Sequence, residues 1–204
     1  EDLLEKGIQN FVISREPEEK WLEKGSFIRV ENTLEALQIL AAKHREQFGL
    51  PVIGITGSNG KTIIKEWLYQ LLREDKNIVR SPKSYNSQVG VPLSVWQITS
   101  EHELAILEAG ISKPNEMQYL EKMVKPSIGI FTNLGLPHDE NFTDHREKAD
   151  EKLKLFEHAE FLLYCKDYLI LDEAIRENAN LRNTRSITWS KKSRADLQIG
   201  RIAK

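Results

Sequence analysis

Cysteine, long apolar runs and an excess of charge of one sign are all missing from this sequence, and each absence excludes a class of protein. Cys165 is the single cysteine among 204 residues, so no internal disulfide framework can form and a reducing compartment is expected. It lies in the apolar run FLLYC and reads as a buried strand residue with no catalytic role. No apolar run approaches the roughly 18 residues that suggest a membrane span, and the opening EDLLEKG resembles neither a signal nor a transit peptide. The expectation is a soluble protein of the cytoplasm with no membrane partner. Lys and Arg number 29 against 31 Asp and Glu, for a formal net charge of -2. Such a balance provides no global basic field, so no nucleic acid partner is expected either.

What is present is ordinary globular composition, 40% hydrophobic and 29% charged, which excludes the low-hydrophobicity, high-charge pattern of disorder. The length suits one domain and part of another. The first residue is Glu, and the last stretch, ADLQIGRIAK, reads as a strand caught midway, so a piece excised from a longer chain is expected.

Residues 11–14 (FVIS) and 26–30 (SFIRV) are short β-favouring runs separated by REPEEKWLEKG, which can hold a turn or a short helix. From Asn32, the segment NTLEALQILAAKHREQFG has an N-cap, Glu35 as its capping-box partner, helical apolar spacing and Gly49 as a stop. After Pro51 the order is strand (VIGIT), glycine-rich turn (GSNGK) and helix (TIIKEWLYQLLRE), whose apolar face is expected at Ile63, Trp67, Leu68, Leu71 and Leu72. Apolar runs at 103–110, 127–135, 161–165 and 186–190 then alternate with stretches of helical pattern such as NEMQYLEKMV and EKADEKLKLFEHA. That alternation predicts an α/β fold with a mostly parallel, doubly wound sheet, whose ligands sit at the carboxyl ends of the strands.

The loop TGSNGKT lies at such an end. Gly57 and Gly60 let the backbone approach an anion, the N–H groups of Thr56 to Thr62, Ser58 and Asn59 among them, are expected to point inward, and the next helix offers its N-terminus to phosphate. Lys61 would reach the β- and γ-phosphates and Thr62 would ligate magnesium. The strict G-x-x-x-x-G-K-[ST] pattern needs glycine at position 55, where Ile55 stands, so the loop is a variant P-loop. The bland alternative is a tight turn that merely opens a helix.

The string GITGSNGKT resembles the ATP loop of the Mur ligase family, and further stretches agree with it in the family's order. SYNSQVGVPLSV resembles an asparagine-rich loop, with Asn86, Gly90 and Pro92 on matching positions and Ser84 and Ser87 in place of two asparagines. Glu108, in LEAG, falls where the family has a magnesium-binding glutamate, and a carboxylate beside phosphates suits a hard cation. NLGLPH places Asn133 and His138 at the family spacing, with Pro137 a departure, and this histidine serves the family's second magnesium site. EKLKLF resembles the K-x-x-L-F stretch whose lysine is carbamylated, which gives Lys152 that role, although lysines at 148, 152 and 154 on a helix more commonly face water. Carbamylation requires the neutral amine, which burial or a nearby cation favours.

The resemblance spans roughly residues 30 to 165 and implies a P-loop central domain at 51–204, a connecting helix at 32–50 and the end of an N-terminal UDP-sugar-binding domain at 1–31. It implies ATP and two magnesium ions, one at Thr62 and Glu108 and one near Glu108, His138 and carbamylated Lys152. Lys61, Asn86, His138 and Lys152 would form the catalytic set, with Asn133 beside the nucleotide. The sequence around VENTLEALQILAAKHREQFGLPVIGITGSNGKT is similar to the branch that joins D-Ala-D-Ala to UDP-N-acetylmuramoyl-tripeptide (UDP-MurNAc-tripeptide), and SPKSYNSQVGVPLSV resembles the Bacteroidetes form fused to an alanine racemase. Other family ligases, which add a diamino acid or polyglutamylate folate, share the ATP machinery. A nucleotide-binding module without ligase chemistry is a further alternative. The isolated chain is expected to bind nucleotide weakly and not to ligate.

Overall fold

The computed structural model describes residues 2–135 and 141–200. Residues near the start form a small unit of their own: a helical turn α1 (Asp2–Glu5), β1 (Asn10–Ile13), the short helix α2 (Glu19–Leu22) and β2 (Ser26–Arg29). Strands β1 and β2 pair in parallel, with Phe11 opposite Phe27 and their rings stacked at 5.2 Å.

Helix α3 (Thr33–Arg45) begins where its cap predicts. The Asn32 side chain accepts hydrogen bonds from the N–H groups of Leu34 (2.9 Å) and Glu35 (3.2 Å), satisfying donors that the first helical turn cannot pair internally. Gly49 is not what stops it. The helix ends at Arg45, whose buried guanidinium donates to the carbonyl oxygens of Phe48 (2.5 Å), Leu50 (3.4 Å) and Val124 (3.4 Å) and so ties the exit loop down. Burial lowers the Arg45 pKa from its ordinary value, a cost those carbonyls offset.

The rest of the chain alternates strand and helix: β3 (Val52–Thr56), α4 (Lys61–Leu72), β4 (Ile78–Arg80), α5 (Gly90–Val95), β5 (Leu104–Glu108), α6 (Met117–Val124), β6 (Ile128–Phe131) and α7 (His145–Leu153), which tightens into a 3-10 turn at Lys154–Phe156. Then come β7 (Phe161–Cys165), α8 (Leu169–Glu177), β8 (Arg185–Ser190) and the two-residue β9 (Leu197–Gln198). The strands make one sheet in the order β4-β5-β3-β6-β7-β8-β9, and every neighbouring pair is parallel. The expected α/β architecture is therefore the observed one. Strand β4, of three residues, and helices α5 and α8 are not among the expected elements; α5 lies within the stretch that resembles an asparagine-rich loop.

Strand alternation divides the core into two layers. Ile53, Ile55, Leu104 and Ile106 face α4, while Val52, Ala105 and Leu107 face the larger layer fed by α3, α5, α6, α7 and α8. The helix α4 meets the sheet through Ile64, Leu68 and Leu72; Ile63, Trp67 and Leu71, expected on its apolar face, are exposed. Both sets are spaced at four residues, and periodicity alone does not say which stripe finds the sheet. On the larger layer, Gly54 and Gly129 make room: a Cβ on Gly54 would lie 2.8 Å from Pro126 Cβ, and one on Gly129 would press into the Phe156 ring, 2.7 Å from Cε1.

Because the sheet is parallel, the carboxyl ends of β3, β4, β5 and β6 open on one edge. The chain leaves central β3 for α4 on one face and neighbouring β6 for α7 on the other, which is the switch point where such sheets bind ligands. The Gly129 contact generates a stability prediction. Gly129→Ala, forced against a fully buried aromatic ring, is expected to cost about 1–3 kcal/mol, read as a lower urea midpoint at unchanged slope; an unaltered midpoint would refute the packing account.

Candidate functional site

The loop after β3 is held by two neighbouring strand ends. Thr56, buried at its base, donates its hydroxyl to the carbonyl of Ala109 just beyond β5 (2.8 Å). On the other side, the segment after β6 clasps the loop. The Ser58 N–H donates to the Asn133 carbonyl (2.9 Å), the Asn59 N–H to Asn133 Oδ1 (3.1 Å), and both Asn133 Nδ2 (3.0 Å) and the Thr132 hydroxyl (2.6 Å) donate to the Asn59 carbonyl. Ser58 Oγ in turn accepts from the N–H of Gly135 (2.8 Å).

Two glycines permit the loop for different reasons. Gly57, at φ 131°, is needed for both conformation and room, because an added Cβ would run into the Thr132 hydroxyl and lie 3.0 Å from the backbone N and O of Asn133. Gly60, at φ 82°, has nothing within 4 Å of its missing Cβ and is required only for the left-handed turn that starts α4. Lys61 arches back over the loop, with Nζ donating to the carbonyls of Gly57 (2.8 Å) and Ser58 (3.4 Å).

Beside the loop lies Glu108, the last residue of β5 and fully buried. Its Oε2 accepts from the Thr62 hydroxyl (3.1 Å) and from Asn86 Nδ2 (3.3 Å), and its Oε1 pairs with Lys65 Nζ (3.1 Å). Thr62, Asn86 and Glu108, far apart in sequence, thus meet at one carboxylate oxygen. Asn86 is held by its backbone, since its carbonyl accepts from the Gly110 N–H (2.7 Å), and a Cβ on Gly110 would lie 3.0 Å from Asn86 Oδ1. The departure Ser87 has a visible job: its hydroxyl accepts from the Gly90 N–H (3.1 Å) at the start of α5. A cavity of about 400 Å³ opens from Lys61 between Asn86–Val89 and the Gly110–Ser112 loop.

Lys152 sits on α7, fully buried, and so does Lys148 one turn before it, contrary to the ordinary expectation that helix lysines face water. Lys154 does lie nearer the surface, where it pairs with Glu151 (2.6 Å), whose other oxygen accepts from the first N–H of α6 at Met117 (3.0 Å). His138 lies outside the described residues. Cys165 is buried in β7, and burial pushes its thiol up from the ordinary value, consistent with an inert strand residue.

Sequence reading missed Lys65 and Ser81. A signal for Lys65 was available: it follows Lys61 by four residues and Thr62 by three, and therefore shares their side of α4.

The oxygens available to a cation here are the Glu108 carboxylate and the Thr62 hydroxyl, both hard, while Asn86 presents its amide N–H to Glu108 Oε2. Among the described residues no group of three or more His, Cys, Asp or Glu could hold a metal by itself. A cation bound by Glu108 and Thr62 would complete its shell with phosphate oxygens and water, which is how magnesium is usually held. In that sense the residues fit it.

Residues 55–204 match the model of the Mur ligase middle domain. The chain belongs to the Mur ligase family. Curated relatives include the UDP-N-acetylmuramoyl-tripeptide--D-alanyl-D-alanine ligases of Synechocystis, 32% identical over 89% of this chain and 38% of that protein, and of Treponema pallidum, 38% identical over 63% of this chain and 28% of that protein. The chain thus spans little more than a third of the length of the Synechocystis relative. In fold it is similar to MurF from Acinetobacter baumannii (TM-score 0.83, 24% identity, 96% of this chain and 42% of that one) and to the MurF ligase from Thermotoga maritima in complex with ADP (TM-score 0.75, 23% identity, 95% of this chain and 52% of that one). The parallel sheet with helices on both faces is the Mur ligase central fold.

The two glycines of this Mur ligase loop give the test of its geometry. Gly60→Ala is expected to cost about 1 kcal/mol, the price of a left-handed alanine. Gly57→Ala should cost roughly 2–3 kcal/mol because strain and collision add. Equal shifts in denaturant midpoint would contradict the clasp by Thr132 and Asn133.

Proposed function

We propose that this chain is the ATP-binding part of an amide ligase of the cytoplasm that joins D-Ala-D-Ala to UDP-MurNAc-tripeptide in the making of peptidoglycan precursors. The observation that carries the reading is the convergence of Thr62, Asn86 and Glu108 on one oxygen beside the glycine loop and Lys61. The branch is supported by curated relatives of that name at 32% and 38% identity. Residues 1–31, with their separate β1-β2 sheet, fit the end of a UDP-sugar domain, 32–50 a connector and 51–204 the central domain.

A carboxylate is a poor acyl donor, so the reaction runs through an acyl phosphate. A carboxylate oxygen of the peptide attacks the γ-phosphorus of ATP, the bond to the β-phosphate oxygen breaks, and ADP leaves. The D-Ala-D-Ala amine then attacks the acyl carbon, the acyl C–O bond breaks, inorganic phosphate departs and the amine loses a proton.

Each residue has a part to play in this. The N–H groups from Gly57 to Thr62 and the start of α4 receive the phosphates. Lys61 unfolds from the Gly57 and Ser58 carbonyls to neutralise charge on the transferring group. Asn86, at the mouth of the cavity that opens from Lys61, orients the incoming carboxylate. Asn133 keeps the loop in register under the nucleotide. Thr62 and Glu108 would hold one magnesium ion, and His138, Glu108 and a carbamylated Lys152 a second. Bound magnesium supplies neutralisation of the phosphate oxygens. Carbamylation joins the neutral Lys152 amine to carbon dioxide with loss of a proton, turning a donor into a carboxylate.

The ligase reading is checked by ATP-dependent phosphate release from the full-length parent protein. UDP-MurNAc-tripeptide with D-Ala-D-Ala should support release, folate with glutamate and UDP-MurNAc-dipeptide with a diamino acid should not, and Lys61→Ala should lower the rate by at least about a hundredfold. Activity with a control pair alone would move the protein to another branch. The Lys152 assignment predicts a carbamate signal after equilibration with isotopically labelled bicarbonate, absent from Lys152→Ala; a signal that persists in that variant would defeat it.

A further inference from the structure

Lys65 takes no part in the reaction as described, yet it is among the largest fully buried side chains of the described residues. It enters from the first turns of α4, and its Nζ reaches four oxygens: the carbonyls of Ser81 (2.8 Å) and Lys83, Glu66 Oε1 (3.1 Å) and Glu108 Oε1 (3.1 Å). Glu66 is itself paired with Arg80 (3.2 Å).

Two consequences follow from this geometry. One is positional. The carbonyls of Ser81 and Lys83 belong to the loop that leads to Asn86, and Ser81 Oγ accepts the N–H of Glu108 (3.0 Å), so one ammonium ties α4, the Asn86 loop and the end of β5 together. Lys83 holds a left-handed conformation (φ 48°), an uncommon one for a side-chain-bearing residue, at the point where its carbonyl turns toward Lys65. The other is electrostatic. Glu108 Oε1 lies 3.1 Å from Lys65 Nζ as an ion pair without a hydrogen bond of its own, while Oε2 accepts from Thr62 and Asn86.

We infer that Lys65 is a positioning residue that, by placing its ammonium beside Glu108 Oε1, keeps the site's affinity for a free divalent cation low, so that the metal enters with nucleotide phosphates. The inference rests on the metal role of Thr62 and Glu108 proposed above. An ammonium in contact with the ligating carboxylate opposes a dication on the other oxygen, and phosphate oxygens arriving with the metal offset that opposition.

The deciding measurement is Mn²⁺ binding without nucleotide, followed by electron paramagnetic resonance. Lys65→Met, close in size and uncharged, should bind Mn²⁺ at least about tenfold more tightly than the parent chain. A purely structural role predicts the opposite, since a disordered Glu108 binds more weakly; unchanged or weaker binding by a folded variant would overturn the inference. Lys65→Gln carries the same expectation should the methionine variant fail to fold, and if neither neutral variant folds the inference is withdrawn. Paramagnetic broadening in the parent chain separates the two readings: Mn²⁺ that leaves the Thr62 and Glu108 resonances sharp refutes the metal site itself. Broadening there without a gain in Lys65→Met refutes only the role given to Lys65.

Discussion

A carboxylate sealed from water at the end of a strand has to be compensated, and most of the candidate site is the compensation of Glu108. Taking such a charge out of water costs several kcal/mol unless partners surround it. Here they come from two elements, Thr62 and Lys65 from α4 and Asn86 from the loop after β4, with Ser81 holding the backbone. None of these residues is near Glu108 in sequence, so the carboxylate can form its contacts only once β3, β4 and β5 are side by side and α4 is seated. The site and the fold are therefore the same event. It also explains why β4, with only three residues, is worth keeping, since it delivers Ser81 and the loop beyond it to the β5 end.

The opposite side of the glycine loop is organised by different means. There the contacts are neutral, exchanged between Ser58, Asn59, Thr132, Asn133 and Gly135, and they set the backbone of the loop rather than any charge. A phosphate cradle needs its N–H groups fixed before the anion arrives, because donors that must reorganise lose part of the stabilisation. A loop clasped on one side by hydrogen bonds and on the other by Thr56 and the Ala109 carbonyl has little freedom left. Lys61 is the part that can move, on a long flexible stem whose Nζ rests on the Gly57 and Ser58 carbonyls.

Much of this was legible in the sequence because it is local. The glycine loop, the Asn32 cap, the strand runs of β3, β5, β7 and β8 and the alternation that dictates a parallel sheet each depend on neighbours within a few residues. What could not be read is what depends on which neighbour a surface finds. The helix α4 has two stripes at the same spacing, and the sheet took Ile64, Leu68 and Leu72 and left Ile63, Trp67 and Leu71 in water. Strand β4 has too few residues to show a period, and α5 begins in a run whose asparagine and serine residues favour turns, being pinned by Ser87 and by the close approach of Gly90 to Tyr85.

The lysines are the sharpest case. Composition says that a lysine on a helix belongs at the surface, and the rule holds for Lys154, yet Lys65, Lys148 and Lys152 are all buried without exposure. Burial of an ammonium is too costly to be incidental, so each buried lysine marks a place where the surroundings supply acceptors or where the group serves as something other than a cation. Lys65 is the first kind, with carbonyls and carboxylates on every side. The carbamate proposed for Lys152 is the second kind, because a carboxylated amine exchanges an ammonium for oxygens that a hard cation can use. The two roles differ in sign: Lys65 brings positive charge to Glu108, whereas the carbamate proposed for Lys152 would bring negative charge to α7.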